Sequence, residues 1–235
     1  MSDLGAARAE RVMRLLCLGL ATALLVGTGC SSGSDAAADS AGLARSGVGI
    51  VAEGCGPNPT FGSGVVVGAS GQVVTVAHTL RGTTDVVVVD VDGNEHAADV
   101  VAFDKDADLA VVSASTLEAP MLDLGDVGTG PGRALVWSRD LGVREVPVDV
   151  AKRLVVTIED IYGEGRVRRA AVEVVADIEV GHSGGPILDE DGGVIGIIYA
   201  ASTQRDRVGF AVDATEVERV LRAVDASGVE TGPCP

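Results

Sequence analysis

Residues 181–200 read GHSGGPILDEDGGVIGIIYA, and two features in them set the expectations for the whole chain. The segment DEDGGV separates the apolar runs PIL and IGII, which is a hairpin signal. Just before it, Ser183 sits among glycines, either as a nucleophile or as a polar residue in a glycine-rich turn. The hairpin rhythm extends in both directions. Short apolar runs recur as GSGVVVG, QVVTVAH, DVVVVDVDGNE, DVVAFD and LAVVSAS, then as ALVWS, REVPVDVAK, LVVTIED, VEVVADI and VGFAV. Strands this short, punctuated by Gly and Asp-Gly, predict an all-β sandwich or barrel. The Gly/Pro cluster at 125–133 divides them into two β halves, at about 47–125 and 131–213. Only DATEVERVLRAVDASG has helical spacing, with Val217, Val220, Leu221 and Val224 on one face, so a short C-terminal helix is expected at about 214–225.

Hydrophobic residues make up 46% of the 235, enough for a sizeable core, while aromatics are only 3%. That core must therefore be built from Val, Ala, Leu and Ile, which favours strands. The net charge of −16 repels phosphate backbones, so nucleic acid is not expected as a partner, nor are anionic lipid headgroups.

The N-terminus carries arginines, then mostly apolar residues from Leu15 to Gly29, then Cys30. The apolar run is shorter than the roughly 20 residues that span a bilayer, and the layout is that of a secretory signal over 1–29. GTGC followed by small polar residues resembles a bacterial lipobox, which would make Cys30 a lipidation site. An uncleaved anchor and ordinary cleavage near Ala36–Ala38 are the other readings. The chain is expected to be exported, either lipid-anchored on the outer face of the cell membrane or secreted. Residues 30–46 lack apolar periodicity and read as a flexible tether, with the folded domain at 47–235. Cys55 and Cys234 remain for that domain; in an oxidising compartment they pair or stand as two free thiols.

Acyl transfer by serine needs a base, an acid that orients the base, and N–H donors for the oxyanion. Gly181 permits a sharp backbone that directs the N–H groups of Gly181 and Ser183 into one hole, and Gly184 and Gly185 permit close approach of a substrate. His78 ends the run VVTVAH at the mouth of a strand, where a lone histidine is otherwise a capped or core residue. Asp108 directly precedes the strand LAVV, whereas Asp104 and Asp106 sit in the turn before it, where an aspartate commonly only caps. His96 lies in a polar turn and is expected to face solvent. Three scattered histidines do not suggest a zinc site, and no metal or other cofactor is expected.

His78, Asp108 and Ser183 occur in the order His, Asp, Ser. Together with GSGVVV, VTVAHTLRG, DGNEHAADVVAFDKDADLAVV, GHSGGPILDEDGGVIGI and GFAV, they make the chain resemble the trypsin-like serine proteases of the HtrA/Deg branch. The segment DIYGEGRVRR…ADIEVGHSGGP is similar to the bacterial membrane-anchored acid-resistance proteases, which join their domain ends by a disulfide. The resemblance covers about residues 50–234. It implies a chymotrypsin-like double β-barrel in which His78 and Asp108 come from the first barrel and Ser183 from the second, and it implies protein or peptide substrates. Set against those families, the chain is expected to lack the PDZ domain of many HtrA proteases and the multi-helix anchor of the acid-resistance group, and it has His182 where Asp or Asn is usual.

Asp177, six residues before the serine, stands where a selector for basic substrate residues sits in trypsin. Ile198, Tyr199, Ala200 and Ala201 are expected to line the primary pocket. The expected function is that of an exported serine endopeptidase acting on envelope or extracellular proteins. The alternative is a degenerate protease fold serving as a binding or chaperone-like module.

Overall fold

Branching at Cβ stiffens valine and suits it to a half-buried pleat, and the valine runs accordingly form strands. The computed structural model describes residues 42–234. The signal reading of 1–29, the lipidation of Cys30 and the tether up to residue 41 lie outside them. Six strands, β1 Gly47–Glu53, β2 Thr60–Val66, β3 Gln72–Thr75, β4 Asp85–Val89, β5 Glu95–Asp104 and β6 Leu109–Ser113, close a barrel in the order β1-β2-β3-β6-β5-β4. A second set closes another in the order β10-β11-β12-β9-β8-β7. Its strands are β7 Gly130–Ser138, β8 Gly142–Glu159, β9 Arg166–Val175, β10 Pro186–Leu188, β11 Val194–Ala201 and β12 Val208–Asp213. Neighbouring strands in both barrels are antiparallel.

Each barrel is filled mainly by aliphatic side chains, Val48, Ile50, Val73 and Val88 in the first and Val136, Val148, Val174 and Ile195 in the second. A third layer joins them: Val65, Val76 and Leu109 meet Leu135, Leu188 and Ile197. Each such side chain stabilises by about 1.5–3 kcal/mol when fully buried, so this seam holds the barrels together. The helix α1 Ala214–Leu221 covers it with Val217 and Val220, while Leu221 and Val224 pack against its margin. Asp213 caps α1 by accepting from the Thr215 N–H at 2.9 Å. The helix stops four residues short of the expected 225, because the Ala223 N–H bonds back three residues to Val220 and tightens the last turn.

Order begins earlier than the composition suggested. Leu43 packs against the seam between the barrels, Ser46 is buried, and the Ser46 N–H donates to the Leu43 carbonyl at 3.0 Å. The strap between the barrels is stitched to both: Leu122 N–H donates to Val66 O at 3.0 Å, and Gly125 N–H to Val194 O at 2.9 Å. Cys55 and Cys234 form a disulfide. Among the described residues no helix is long and apolar enough to cross a membrane.

Candidate active site

His78 lies in a 3-10 turn, Ala77–Leu80, whose other three residues are buried, so its imidazole is the one left at the surface. Asp108 sits in the turn between β5 and β6. There Asp104 accepts from the N–H groups of Asp106 and Ala107, at 2.9 and 2.8 Å, and fixes the loop. Asp108 itself is left-handed, with φ 57°, a strained backbone for a residue with a side chain. Its Oδ1 accepts from the His78 backbone N–H at 2.9 Å, and its two oxygens lie 3.1 and 2.9 Å from His78 Nδ1. A carboxylate at Nδ1 places the proton there and leaves Nε2 with the lone pair.

Ser183 belongs to the second barrel but is held by the first. Ser63, on β2, donates its N–H to the Ser183 carbonyl at 2.7 Å. The Ser63 hydroxyl donates to the Gly181 carbonyl at 2.9 Å and accepts from the Trp137 N–H at 2.8 Å. Thr75 completes the clasp by donating its hydroxyl to the Ser63 carbonyl at 2.7 Å. The loop passes so close that a Cβ on Gly184 would collide with Ser63 O and Thr75 Oγ1, and Gly181 and Gly184 both have positive φ. Among the described residues, neither the N–H groups of Gly181 and Ser183 nor the Ser183 hydroxyl makes a hydrogen bond.

His182 points away from this opening. It is 2% exposed; Nδ1 accepts from the Glu179 N–H at 3.0 Å, which leaves the proton on Nε2, and the Arg144 guanidinium lies 2.9 Å from Nε2. Burial first, and then the Arg144 charge, hold its pKa below the ordinary histidine value. At this departure from Asp or Asn the ring is set against the Glu179 backbone and Arg144, a residue the sequence did not single out.

The residues proposed for the pocket separate. Asp177 is exposed but paired to Arg207 at 3.1 Å, so it is not a free anion. Ile198 does not line a pocket with its side chain, which lies in the core of the second barrel. A bulge between Ile198 and Ala200 breaks the alternation of β11 and turns Tyr199 toward Arg169, whose guanidinium carbon lies 4.2 Å from the ring centre. Tyr199 and Ala200 are half-buried and Ala201 is exposed, and Ala201 borders a groove shared with Asp177. On the opposite flank, Arg139 stacks over Phe61 at 4.1 Å.

His96 does not face solvent. Its side chain is 13% exposed and is held between Thr116 Oγ1 at 2.9 Å and Asp90 Oδ2 at 3.3 Å, which the polar composition of its turn did not reveal. Among the described residues no three His, Cys, Asp or Glu side chains gather as a metal ion would require.

The long β8–β9 hairpin reaches over the first barrel with the DIYGEG turn. Lys105 bonds Asp160 at 2.8 Å, Arg81 Nη1 donates to the Ile161 carbonyl at 2.6 Å, and the Tyr162 hydroxyl donates to the Thr231 carbonyl at 2.6 Å. Lys105, with the backbone N–H of Glu164, holds the Asp160 carboxyl below its ordinary range.

Two closed antiparallel barrels, with a His–Asp pair on one and a glycine-bounded serine on the other, define the chymotrypsin type of fold and site. The chain belongs to the trypsin-like peptidase domain family, whose model matches residues 62–197. It is 30% identical over 178 residues to serine protease Rv3671c of Mycobacterium tuberculosis, covering 74% of this chain and 44% of that protein. It is 31% identical over 182 residues to Protease Do-like 1, chloroplastic, of Arabidopsis thaliana, covering 73% and 41%. The chain thus spans less than half the length of these relatives. The crystal structure of the active form of Rv3671c protease superposes with a TM-score of 0.77 at 29% identity, over 83% of this chain and 87% of that one.

Proposed function

We propose that the chain is an exported serine endopeptidase that cleaves envelope or extracellular proteins through an acyl-enzyme. Ser183 Oγ attacks the scissile carbonyl carbon while its proton passes to His78 Nε2. The N–H groups of Gly181 and Ser183 stabilise the oxyanion, and Asp108 keeps the imidazole oriented and carries the charge balance. Collapse breaks the C–N bond as His78 returns the proton to the leaving amine. Water then attacks the acyl carbon, giving its proton to His78, and the ester bond breaks with the proton going back to Ser183 Oγ. Ala200 and Ala201 offer room for a modest apolar side chain before the cut bond.

The observation that carries this reading is His78 Nδ1 engaged by both oxygens of Asp108, which reserves Nε2 as the base. The family assignment and the likeness to a protease structure in its active form support it. The serine hydroxyl still has to meet the base, a contact that commonly tightens only with substrate. The test is intact mass before and after a fluorophosphonate, with Ser183→Ala as control. A single adduct that the variant loses supports the reading; a folded parent chain without an adduct removes it. Attachment through a lipid at Cys30 is read separately, since Cys30→Ala then moves the protein from the membrane fraction to the soluble one.

A further inference from the structure

We propose that Arg169 is a positioning residue for this reaction, a buried cation that neutralises Asp108 so that His78 remains an unprotonated base. The inference rests on the reading of Ser183 as nucleophile and His78 as base. Arg169 lies on β9 of the second barrel and is 4% exposed. Its Nη2 stands 4.0 Å from Asp108 Oδ2 in the first barrel, its Nη1 donates to the Asp106 carbonyl at 3.4 Å, and its Nε has no hydrogen-bond partner. The Tyr199 ring, brought round by the bulge in β11, covers the guanidinium at 4.2 Å. A guanidinium removed from water at such cost requires a nearby anion, and the carboxylate oxygen at 4.0 Å is Asp108.

The other groups facing the cluster do not supply this balance. Tyr199 stays a neutral phenol, its pKa pushed up by burial. Arg81 turns its Nε to the His78 carbonyl at 3.4 Å and its Nη1 to Ile161. Asp104 is paired with Arg219 at 2.8 Å, and Asp106 with Lys105 at 2.9 Å. The buried pair of Asp108 and Arg169 is thus close to neutral before His78 gains a proton. Without Arg169, the unbalanced carboxylate would draw a proton onto the imidazole at higher pH.

The test is the rate of fluorophosphonate labelling of the full chain across pH, in the parent and in Arg169→Gln, Arg169→Met and Arg169→Lys. Nη2 is 4.0 Å from Asp108 Oδ2, which is 2.9 Å from His78 Nδ1, so the charge lies within roughly 7 Å of the ring; in a medium of effective dielectric near 20 its removal moves the acid limb by about one to two pH units, at least roughly tenfold in rate on that limb. The neutral variants are expected to shift the limb upward by that amount, and the lysine variant to restore the parent's position at a lower rate. Melting and intact mass establish that each variant is folded. A limb that stays in place in a folded neutral variant overturns the role, as does a lysine variant that shifts as far as glutamine. Failure of both neutral variants to fold also overturns it, in favour of a purely structural ion pair. Absence of any Ser183 adduct in the parent removes the protease reading itself, an outcome distinct from these.

Discussion

Removing the disulfide by Cys55→Ser with Cys234→Ser should destabilise the domain severely. The bridge closes a separation of 179 residues, and the chain-entropy relation gives about 5 kcal/mol for a loop of that length. Local bonds cannot replace it. The tail beside Cys234 is held at Thr231, which accepts from Gly82 N–H at 3.2 Å and from the Tyr162 hydroxyl at 2.6 Å and donates its own hydroxyl to Thr83 O at 3.3 Å. At about 1 kcal/mol each, these hydrogen bonds fall short of the loss and themselves depend on the tail being in place. For a domain of this size, each kcal/mol shifts Tm by about 2–4 °C, so the expected fall is about 10–20 °C. Trp137, the single tryptophan, reports the melt because it is buried at the barrel seam. The Cys55 Sγ also touches the Arg81 carbonyl at 3.1 Å, three residues from His78, so labelling of Ser183 should slow as well. A fall of less than 3 °C in the oxidant-treated double variant against the oxidised parent would refute the reasoning.

His182 predicts an acid-side loss of stability. Its folded pKa is depressed by burial and by Arg144, so the unfolded chain binds the proton more readily; stability is fully present above the ordinary histidine range and falls as pH drops through it. His182→Asn should flatten that slope between pH 7.5 and 5 in denaturant melts, and an unchanged slope would reject the assignment. At lower pH, Asp160, held down by Lys105, and Glu173, held down by Arg205, contribute stability that is lost as they protonate below about pH 4; Asp160→Asn should lessen the loss in thermal melts. Ser63→Ala strands the Trp137 N–H and the Gly181 carbonyl. It should cost about 2–3 kcal/mol by chemical denaturation and slow labelling of Ser183, whereas equal rates would show that the clasp does not set the serine loop. Asp177→Ala should leave the peptide cleavage preference unchanged because the carboxylate is exposed and pairs with Arg207 at the surface; a lost preference for Lys or Arg substrates would overturn this.

Strands and a His–Asp–Ser order could be read from the chain because both are written locally, as valine runs between turns and as residues inside short motifs. What escaped depends on partners far away in sequence. Within GSGVVV, Ser63 is one more small residue, and its bond to Gly181, 118 residues on, leaves no mark in that motif. Arg169 was hidden among the arginines of RVRRAAV, although its spacing with Val167 and Ala171 on a strand of period two was a signal for an inward side chain. The Tyr199 bulge had no such signal, since a slip in register is fixed by the neighbouring strand. Leu43 carries no signal, because a single leucine among Ala, Gly and Ser shows no period. For Asp177 and Ile198 the sequence offers only analogy of position, and the ion pair and the core packing that decide their surroundings lie outside any motif.

The clasp on Ser63 has a consequence for the order in which the chain acquires its chemistry. The serine loop takes its anchors from β2 and β3, strands synthesised more than 100 residues earlier, and also from β7 through Trp137. A nascent chain can therefore finish its N-terminal barrel, with the His–Asp pair in place, and remain inert. Reactivity would switch on only when the later barrel folds onto the earlier one. Under the protease reading, this timing delays self-cleavage until the product is folded. Cutting the strap between the barrels should yield two inactive fragments whose labelling returns only on mixing.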